Sequence, residues 1–186
     1  MREIRQQIII CGVGGQGVLF VTRLMAEAAI ARGLPVLTSE THGMAQRGGT
    51  VISHLKVGDF ASPLIRHSRA DGMLALKAES VAQFQGFVKP SGWIVANSKV
   101  PLETDHPLET FIADADRVAK ELNHPKAVNL VMLGFCVAAT AGNPNSDGAS
   151  YLALNHMTTV LETRFAGRKD IVTPSVNALE AGFNLR

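Results

Sequence analysis

Residues 8–17 are IIICGVGGQG, four apolar residues that run directly into a glycine-rich turn. The apolar run is too uniform for a strand with one wet face, so it predicts a central strand covered on both sides. After the turn, apolar residues recur every three or four positions, which predicts a helix over residues 18–32 that Gly33 and Pro35 end. A strand, a glycine turn and a helix in this order begin a βαβ unit and indicate an α/β fold.

The remainder of the chain continues this alternation of short strands and longer helical patterns. Strands are predicted at 36–39, 50–57, 72–76 and 93–96, and a further strand and helix within 110–122. Helices are predicted at 79–87, 127–141 and 150–165. From Gly167 onward the sequence predicts a polar tail with a short helical or extended piece at 175–182. We expect a single domain over 1–186, a three-layer α/β/α Rossmann-like fold whose sheet is mainly parallel, with room for a mixed arrangement.

The composition argues against partners that are bound mainly by charge. Charged residues make up 18% of the chain, below the roughly 25% of an average soluble domain, and the net charge is +2. No run of five like charges provides the basic footprint of nucleic-acid or anionic-lipid binding. The longest apolar stretch, 127–141, is shorter than the about 20 residues of a membrane-spanning helix, and the N-terminus lacks a signal-peptide pattern. We therefore expect neither nucleic acid nor membrane as a partner.

The chain has two cysteines, Cys11 and Cys136, which are far apart in the sequence. Neither belongs to a CxxC pair or a Cys/His cluster, so we expect no metal site, structural zinc or iron–sulfur cluster built by this chain alone. They lie in the predicted central strand and in the predicted helix over 127–141, which favours buried, inert thiols. Such thiols fit a cytoplasmic protein.

The turn after the first strand matches the pattern G-x-G-x-x-G. Its candidate binding residues are Gly12, Gly14, Gly15, Gln16 and Gly17. Such a turn lets the pyrophosphate of a ligand approach the N-terminus of a helix, where free N–H groups favour anions. Glu40, at the end of the second predicted strand, stands near the place of a ribose-binding acid. The alternative is that the glycines only allow close packing of helix and strand, or contact with a neighbouring chain.

A second glycine-rich stretch, THGMAQRGG at residues 41–49, separates two predicted strands. It can present backbone N–H groups and the Arg47 guanidinium to a phosphate or a carboxylate. Loops that follow the strands of an open α/β sheet bind ligands, so we expect this loop to share one crevice with the first turn. The alternative is a long turn with its polar side chains in water. His42 lies in the same stretch, but the sequence places no nucleophile or paired carboxylate near it.

Three further polar residues have structural interpretations. His54 alternates with Ile52 and Lys56 along a predicted strand, which favours a residue on the strand's face over a ligand. Asp71 and Glu79 flank a strand and a helix start, so we expect each to cap a helix.

The two glycine-rich motifs resemble those of the gamma subunits of 2-oxoacid:ferredoxin oxidoreductases, the pyruvate/ketoisovalerate oxidoreductase catalytic domain family. The resemblance covers nearly the whole chain. Its marks are IIICGVGGQGVLFVTRLMAEA at 8–28, SETHGMAQRGGTVISHLKVGD at 39–59, SPLI at 62–65, ADGMLALKAES at 70–80 and VTPSVNALEAGFNL at 172–185. Within the family, the wording HGMAQRGG is most similar to the beta subunits of indolepyruvate:ferredoxin oxidoreductases.

The resemblance implies an oxidative decarboxylation, in which a 2-oxoacid, coenzyme A and oxidised ferredoxin give an acyl-CoA, carbon dioxide and reduced ferredoxin. Thiamine diphosphate, magnesium and iron–sulfur clusters serve this reaction, and the family places them on larger partner subunits. This sequence lacks the Gly-Asp-Gly motif of a thiamine diphosphate domain, since Gly58-Asp59-Phe60 is not that motif. The chain is then an accessory catalytic subunit that holds none of these cofactors, is inactive alone and meets ferredoxin through the complex.

The resemblance also assigns roles to both motifs. The first turn, Gly12 to Gly17, and the pair Gly48 and Gly49, together with His42, would bind coenzyme A or complete its site, while Gln46 and Arg47 would complete the active-site region. Two other functions stay open: a stand-alone nucleotide-binding dehydrogenase that uses the glycine turn, and a non-catalytic interaction module. Because obligate complexes bury large apolar interfaces, the low charge of the chain fits surface that is covered by a partner.

Overall fold

A computed structural model describes residues 4–42, 49–105, 107–141 and 152–186. The strands are β1 (Gln6–Val13), β2 (Val36–His42), β3 (Thr50–Val57), β4 (Ala70–Ala75), β5 (Val88–Asn97) and β6 (Glu109–Ala113). The helices are α1 (Val18–Ala31), α2 (Glu79–Phe84), α3 (Ala115–Glu121), α4 (Val128–Thr140), α5 (Leu154–Arg164) and α6 (Lys169–Phe183). Short 3-10 turns lie at Gln85–Phe87 and Pro125–Ala127.

The described strands form one mixed sheet in the order β2-β3-β1-β4-β5-β6. β1, β4, β5 and β6 run parallel to one another, whereas β3 is antiparallel to both β1 and β2. The apolar residues Ile8, Ile9, Ile10 and Cys11 of β1 are all fully buried. The predicted α/β class and doubly covered central strand are therefore confirmed, and the sheet takes the mixed arrangement that the prediction left open beside a mainly parallel one.

The two faces of the sheet have unequal cover. On the first, called here the helical face, Ile8 and Ile10 pack into a core built with α1, α3, α4, α5 and α6. On the other, called the second face, Ile9 and Cys11 pack with Ile65 from the irregular segment 58–69 and with side chains of α2 and the 3-10 turn that follows it. Alternation along the strands produces this division, because successive side chains point to opposite faces.

α6 corrects the predicted polar tail. The sequence around it is polar and contains Pro174, which lacks the N–H that an interior helical position donates. The helix forms nevertheless because it buries Ala178, Leu179 and Gly182 against the rest of the core. Tertiary packing of one apolar face outweighs the local propensity here.

α4 and α6 cross at backbone contact distance through two glycines. A Cβ added at Gly134 of α4 would lie 1.9 Å from the carbonyl oxygen of Leu179, and one at Gly182 of α6 would lie 1.9 Å from that of Val131. No side chain fits at either position unless the helices separate. This crossing anchors the C-terminal helix on the helical face.

Asp71 is not a helix cap. It lies in β4, where its carboxylate accepts hydrogen bonds from the Gln7 backbone N–H at 2.7 Å and from Lys89 Nζ at 2.6 Å. The prediction is wrong because the strand begins at Ala70, which places Asp71 inside the sheet beside β1 and β5. Glu79 lies in the first turn of α2, where a carboxylate favours the helix dipole, but Ala78 occupies the capping position.

Candidate ligand-binding site at the glycine turn

The glycine turn joins β1 to α1 and is held by its own hydrogen bonds. Gln16 bonds twice to Val13: its backbone N–H donates to the carbonyl at 3.1 Å, and its side-chain Oε1 accepts from the backbone N–H at 2.9 Å. Gly15 has φ +91° and Gly17 has φ +84°, a backbone conformation that favours glycine. The pattern IIICGVGGQG therefore gives the predicted strand, tight turn and helix.

The inner glycines of the turn serve packing. A Cβ at Gly12 would lie 2.8 Å from Gln16 Oε1, and one at Gly17 would lie 2.2 Å from Nδ2 of Asn129 on α4. Both glycines allow side chains to approach the backbone, as the packing alternative requires. The glycine pattern alone therefore does not establish a ligand site.

The outer glycines have a different environment. Gly14 and Gly15 are exposed, and a Cβ at Gly15 would meet no atom within 4 Å. The first turn of α1, which follows them, contains no acidic residue, so the positive end of that helix is not neutralised within it. The outer half of the turn is open to a ligand or a partner chain.

A cavity of about 440 Å³ borders this outer half of the turn. Its lining includes Gly14, Gly15, Phe20, Arg23, Val51 and Arg164. Arg164 of α5 pairs with Glu27 and lies with its Cζ 5.9 Å from the centroid of the Phe20 ring. Arg23 has no carboxylate within 4 Å among the described residues, so its charge is available to an anion.

A hydrogen-bond network that sequence reasoning missed lies at the carboxyl ends of β4 and β5. The carbonyl of Leu76 accepts from Gln16 Nε2 at 3.5 Å and from Asn97 Nδ2 at 3.3 Å. Asn97 also accepts from the Ala115 backbone N–H at 3.0 Å and donates to Asp116 Oδ2 at 2.8 Å. The available signal was a lone asparagine at the end of the apolar strand WIVAN. Its amide ties the glycine turn to the start of α3.

A second cavity, of about 280 Å³, lies beside this network. Its polar lining is Gln16, Lys77, Glu79, Asn97, Ser98, Lys99 and Asp116. The crevice outside the carboxyl ends of parallel strands is where open α/β sheets bind ligands. The glycine turn thus borders both cavities, the first through Gly14 and Gly15 and the second through Gln16.

Gly49, the last residue of the second glycine-rich motif, shows where the end of this motif lies relative to the first turn. Its carbonyl accepts a hydrogen bond from the Gly14 N–H at 2.9 Å, which places the end of the second motif beside the first turn. His42 pairs with Val51 at the end of β2. Gln46, Arg47, Gly48 and the side chain of His42 lie outside the described residues.

Glu40 does not occupy the position of a ribose-binding acid. That position lies on a strand directly beside β1, but in this sheet β3 stands between β1 and β2. With neighbouring strands about 4.8 Å apart, Glu40 is displaced by about 10 Å from β1. The insertion of an antiparallel strand explains the difference and weighs against dinucleotide binding of the dehydrogenase kind.

The thiols of the two cysteines are not activated for nucleophilic chemistry. Burial raises the pKa of the Cys11 thiol, just before Gly12, and raises that of Cys136 on α4 to about 12. Both cysteines are free and buried, as predicted.

His54 lies on β3, where its Nδ1 accepts from the Ile65 backbone N–H at 3.2 Å, so the prediction of a strand-face residue is confirmed. Burial and the neighbouring Lys56 lower the pKa of His54.

Two negative findings apply to the part of the chain that the structure describes. No three His, Cys, Asp or Glu side chains come together as a metal site in that part. None of its helices combines the length and the apolar character needed to cross a membrane.

Comparison with known proteins identifies relatives along nearly the whole chain. Residues 7–185 match the family described as "Pyruvate ferredoxin/flavodoxin oxidoreductase". The "Indolepyruvate oxidoreductase subunit IorB" of Archaeoglobus fulgidus is 42% identical over 96 residues, which cover 52% of this chain and about half, 48%, of that subunit. The subunit of the same name from Methanothermobacter thermautotrophicus is 32% identical over 157 residues, covering 74% of this chain and 80% of that subunit.

Solved structures share the fold. The gamma subunit of a keto/oxoacid ferredoxin oxidoreductase from Geobacter sulfurreducens superposes with a TM-score of 0.75 at 22% identity, covering 96% of each chain. A 2-oxoglutarate:ferredoxin oxidoreductase from Magnetococcus marinus, solved with 2-oxoglutarate, coenzyme A and succinyl-CoA bound, gives a TM-score of 0.73 at 21% identity. That match covers 98% of this chain and 31% of the larger one.

Proposed function

Because the chain belongs to the pyruvate ferredoxin/flavodoxin oxidoreductase family, we propose that it is the accessory catalytic subunit of a 2-oxoacid:ferredoxin oxidoreductase. The observation that carries this proposal is the family match over residues 7–185, with subunits of indolepyruvate oxidoreductases among the relatives. The complex would convert an indolepyruvate, aryl pyruvate or pyruvate-type 2-oxoacid and coenzyme A into an acyl-CoA, carbon dioxide and reduced ferredoxin. Residues 1–186 would act in it as one gamma-type domain.

The role of the glycine turn in this complex is to receive anionic groups of coenzyme A. Gly14 and Gly15 are exposed beside a cavity of about 440 Å³ that Arg23 and Arg164 also line. Backbone N–H groups at a helix N-terminus and guanidinium groups are the partners that phosphates prefer. Gly12 packs against Gln16 and holds the turn in place, while Gly17 packs against Asn129 and also lines the cavity beside Gly14 and Gly15.

The second motif would complete this site. The hydrogen bond from Gly14 to Gly49 supports a loop that returns to the turn, and in that loop we assign Arg47 to a phosphate or a carboxylate, with Gln46 and His42 as polar neighbours. Gly48 would keep the loop backbone close to the ligand. No group in this set is an activated nucleophile, so its contribution is to bind and orient.

The cofactors of the reaction belong to the partner subunits in this proposal. Thiamine diphosphate with magnesium stabilises a carbanion when bound, and iron–sulfur clusters accept electrons. Cys11 and Cys136 do not fit a cluster held by this chain, because they lie in cores on opposite faces of the sheet. The partners are therefore one or more larger subunits that bind thiamine and clusters. Two free thiols suit the reducing conditions of the cytoplasm.

The first test of this function is purification of the native complex. The chain should co-purify with a larger subunit that contains thiamine, iron and sulfide, and the isolated chain should show no activity on 2-oxoacids. A stable monomer that associates with no such subunit would contradict the proposal. The dehydrogenase alternative predicts saturable binding of NAD or NADP to the purified chain by calorimetry, which the position of Glu40, two strands from β1, does not favour.

The second test addresses Arg47. In the reconstituted complex, Arg47→Ala should raise the KM for coenzyme A or the 2-oxoacid, or lower the turnover number, by at least tenfold, since a charge-assisted contact is worth about 1.5–3 kcal/mol. Arg117→Ala is the matched control, because Arg117 is exposed on α3 and pairs with Glu121 away from the turn. Unchanged kinetics for Arg47→Ala would remove Arg47 from the site.

A further inference from the structure

We propose that the second face of the sheet carries a docking surface for an acidic segment of a partner protein. This surface, called the basic patch, consists of Arg5, Lys56, Phe60, Leu64 and Arg66. It lies away from the glycine turn, beside the start of β1 and the end of β3. The inference adds to the proposed function in that it names where this chain would contact a partner subunit.

The centre of the patch is an aromatic ring with two cations. Arg5 Cζ lies 4.5 Å and Lys56 Nζ lies 5.0 Å from the centroid of the Phe60 ring. Lys56 belongs to β3 and is only 7% exposed, so its stem is enclosed by the sheet and the segment above it. Cations at these distances are attracted to the face of a ring, which holds them in place without neutralising them.

The cations of the patch have no carboxylate partner. Within the described residues, neither Arg5, Lys56 nor Arg66 forms an ion pair, and Asp59, next to the ring, lies more than 4 Å from their charged groups. Burial, and the charges of Arg66 and Arg5, lower the pKa of Lys56. The arrangement thus holds positive charges close together, a condition that an incoming carboxylate would relieve.

Elsewhere in the described structure, several cations are paired at short distances. Lys89 Nζ lies 2.6 Å from Asp71 on the same face, and Arg117 lies 2.6 Å from Glu121 on α3. The Asp71–Lys89 pair shows that a carboxylate can neutralise a cation on this face of the sheet at short range. At the basic patch, no carboxylate of the described residues is so placed.

An apolar residue lies within the same segment. Leu64 is 54% exposed, although the next residue, Ile65, is buried and its N–H is bound to His54. This bond and the burial of Ile65 fix the backbone that presents Leu64. Leu64 therefore adds an exposed apolar side chain two residues before Arg66, and protein interfaces combine apolar contacts with arginines. The three cations are too few for a nucleic-acid backbone, which favours an acidic protein segment with an apolar contact.

A direct test uses a synthetic acidic peptide with one leucine among glutamates. In NMR titrations at low salt, this peptide should shift the amide resonances of residues 56–66, and Arg66→Glu with Arg5→Glu should weaken its binding more than tenfold. Lys126→Glu, the same charge change at an exposed site before α4, should leave binding unchanged. Arg5 and Arg66 are exposed, and equal urea midpoints will verify that the variants fold.

Three outcomes would overturn the docking surface. One is equal binding of a peptide with glutamine in place of glutamate, and another is no shift at 56–66 with the acidic peptide. The third is that inorganic phosphate shifts these residues while the acidic peptide does not, which would assign the patch to a small anion. None of these depends on the oxidoreductase proposal.

A second experiment uses the complex. The chain with both Arg5→Glu and Arg66→Glu should lose its partner subunit during affinity purification, whereas Lys126→Glu should retain it. Retention of a stoichiometric complex by the double variant would contradict the inference. If the unmodified chain retained no partner, the proposed function would fail, and the peptide titration would still decide whether the patch binds carboxylates.

Discussion

The two faces of the sheet are covered by different kinds of structure. On the helical face, α1 and α4 to α6 enclose the core, and α4 meets α6 at backbone contact through Gly134 and Gly182. On the second face, the core is covered by one short helix and the irregular segment 58–69. Three charged or titratable residues are buried in the strands themselves: His54, Lys56 and Asp71. The helical face is thus closed by apolar packing of helices, whereas the second face includes ionisable groups in its buried layer.

The largest effect is expected from filling the glycine crossing on the helical face. Gly134→Ala should lower the free energy of unfolding by about 3 kcal/mol, the upper part of the range for overpacked cores, because its Cβ would meet a backbone oxygen that cannot turn away. Gly86→Ala is the control near the second face, where a Cβ would lie 3.3 Å from Nδ1 of the exposed His67 ring. Its effect should stay within about 0.5 kcal/mol.

Urea denaturation measures both variants. Equal losses of unfolding free energy for Gly134→Ala and Gly86→Ala would contradict the difference between the faces, because the two sites would then be equally closely packed. Gly182→Ala provides a second probe of the crossing and should behave like Gly134→Ala, since each glycine faces a backbone oxygen of the other helix.

A smaller effect is expected from the buried charge pair of the second face. Asp71→Asn keeps the size of the side chain but leaves Lys89 without its counter-charge, where the two side chains are 13% and 26% exposed. The free energy of unfolding should fall by about 2 kcal/mol, below the 3–5 kcal/mol of fully buried pairs. Glu121→Gln, in the pair with Arg117 that is more than half exposed, should cost under about 0.5 kcal/mol. Similar losses for both variants would mean that the Asp71–Lys89 pair stabilises the fold no more than the exposed Arg117–Glu121 pair does.

The pH dependence of stability provides a still finer test of the second face. His54 accepts a hydrogen bond at Nδ1, so its proton is on Nε2, and its pKa in the folded protein lies below the ordinary value of about 6.5. Between those two pKa values the unfolded chain binds more protons than the folded one. Stability from this group is therefore complete above about pH 6.5 and declines as the pH falls below it, by at most about 1.4 kcal/mol per pH unit.

His54→Asn isolates this contribution, because its Oδ1 can accept from Ile65 and cannot titrate. Urea unfolding at a series of pH values should show a shallower decline below pH 6.5 for the variant than for the original chain. Parallel curves would show that protonation of His54 does not open the segment 58–69.

The elements that sequence predicted well are those set by neighbouring residues. β1, the glycine turn and α1 follow from IIICGVGGQG and the apolar spacing after it, and the helix over 127–141 appears as α4. The polar composition around Pro174 concealed α6, whose formation depends on contacts with α4. The order of strands depends on distant pairing, so the position of β3 between β1 and β2 could not be predicted from local pattern.

The candidate site likewise has parts that the sequence predicted and one part that it did not. The turn and its glycines were evident in the sequence, because φ above zero and close backbone approach favour glycine. The bond from Gly14 to Gly49 brings the second motif beside the turn, as expected. The role of Asn97 was missed, since it joins Leu76, Ala115 and Asp116 across three separate segments.

The measurement that tests the central claim most directly is the turnover of the partner subunits with and without this chain. Partner subunits loaded with thiamine diphosphate and clusters should form no acyl-CoA from 2-oxoacid, coenzyme A and oxidised ferredoxin until the purified chain is added, and activity should then saturate at a stoichiometric amount. If the partner subunits alone turned over at the same rate, the chain would not be a catalytic subunit of the complex.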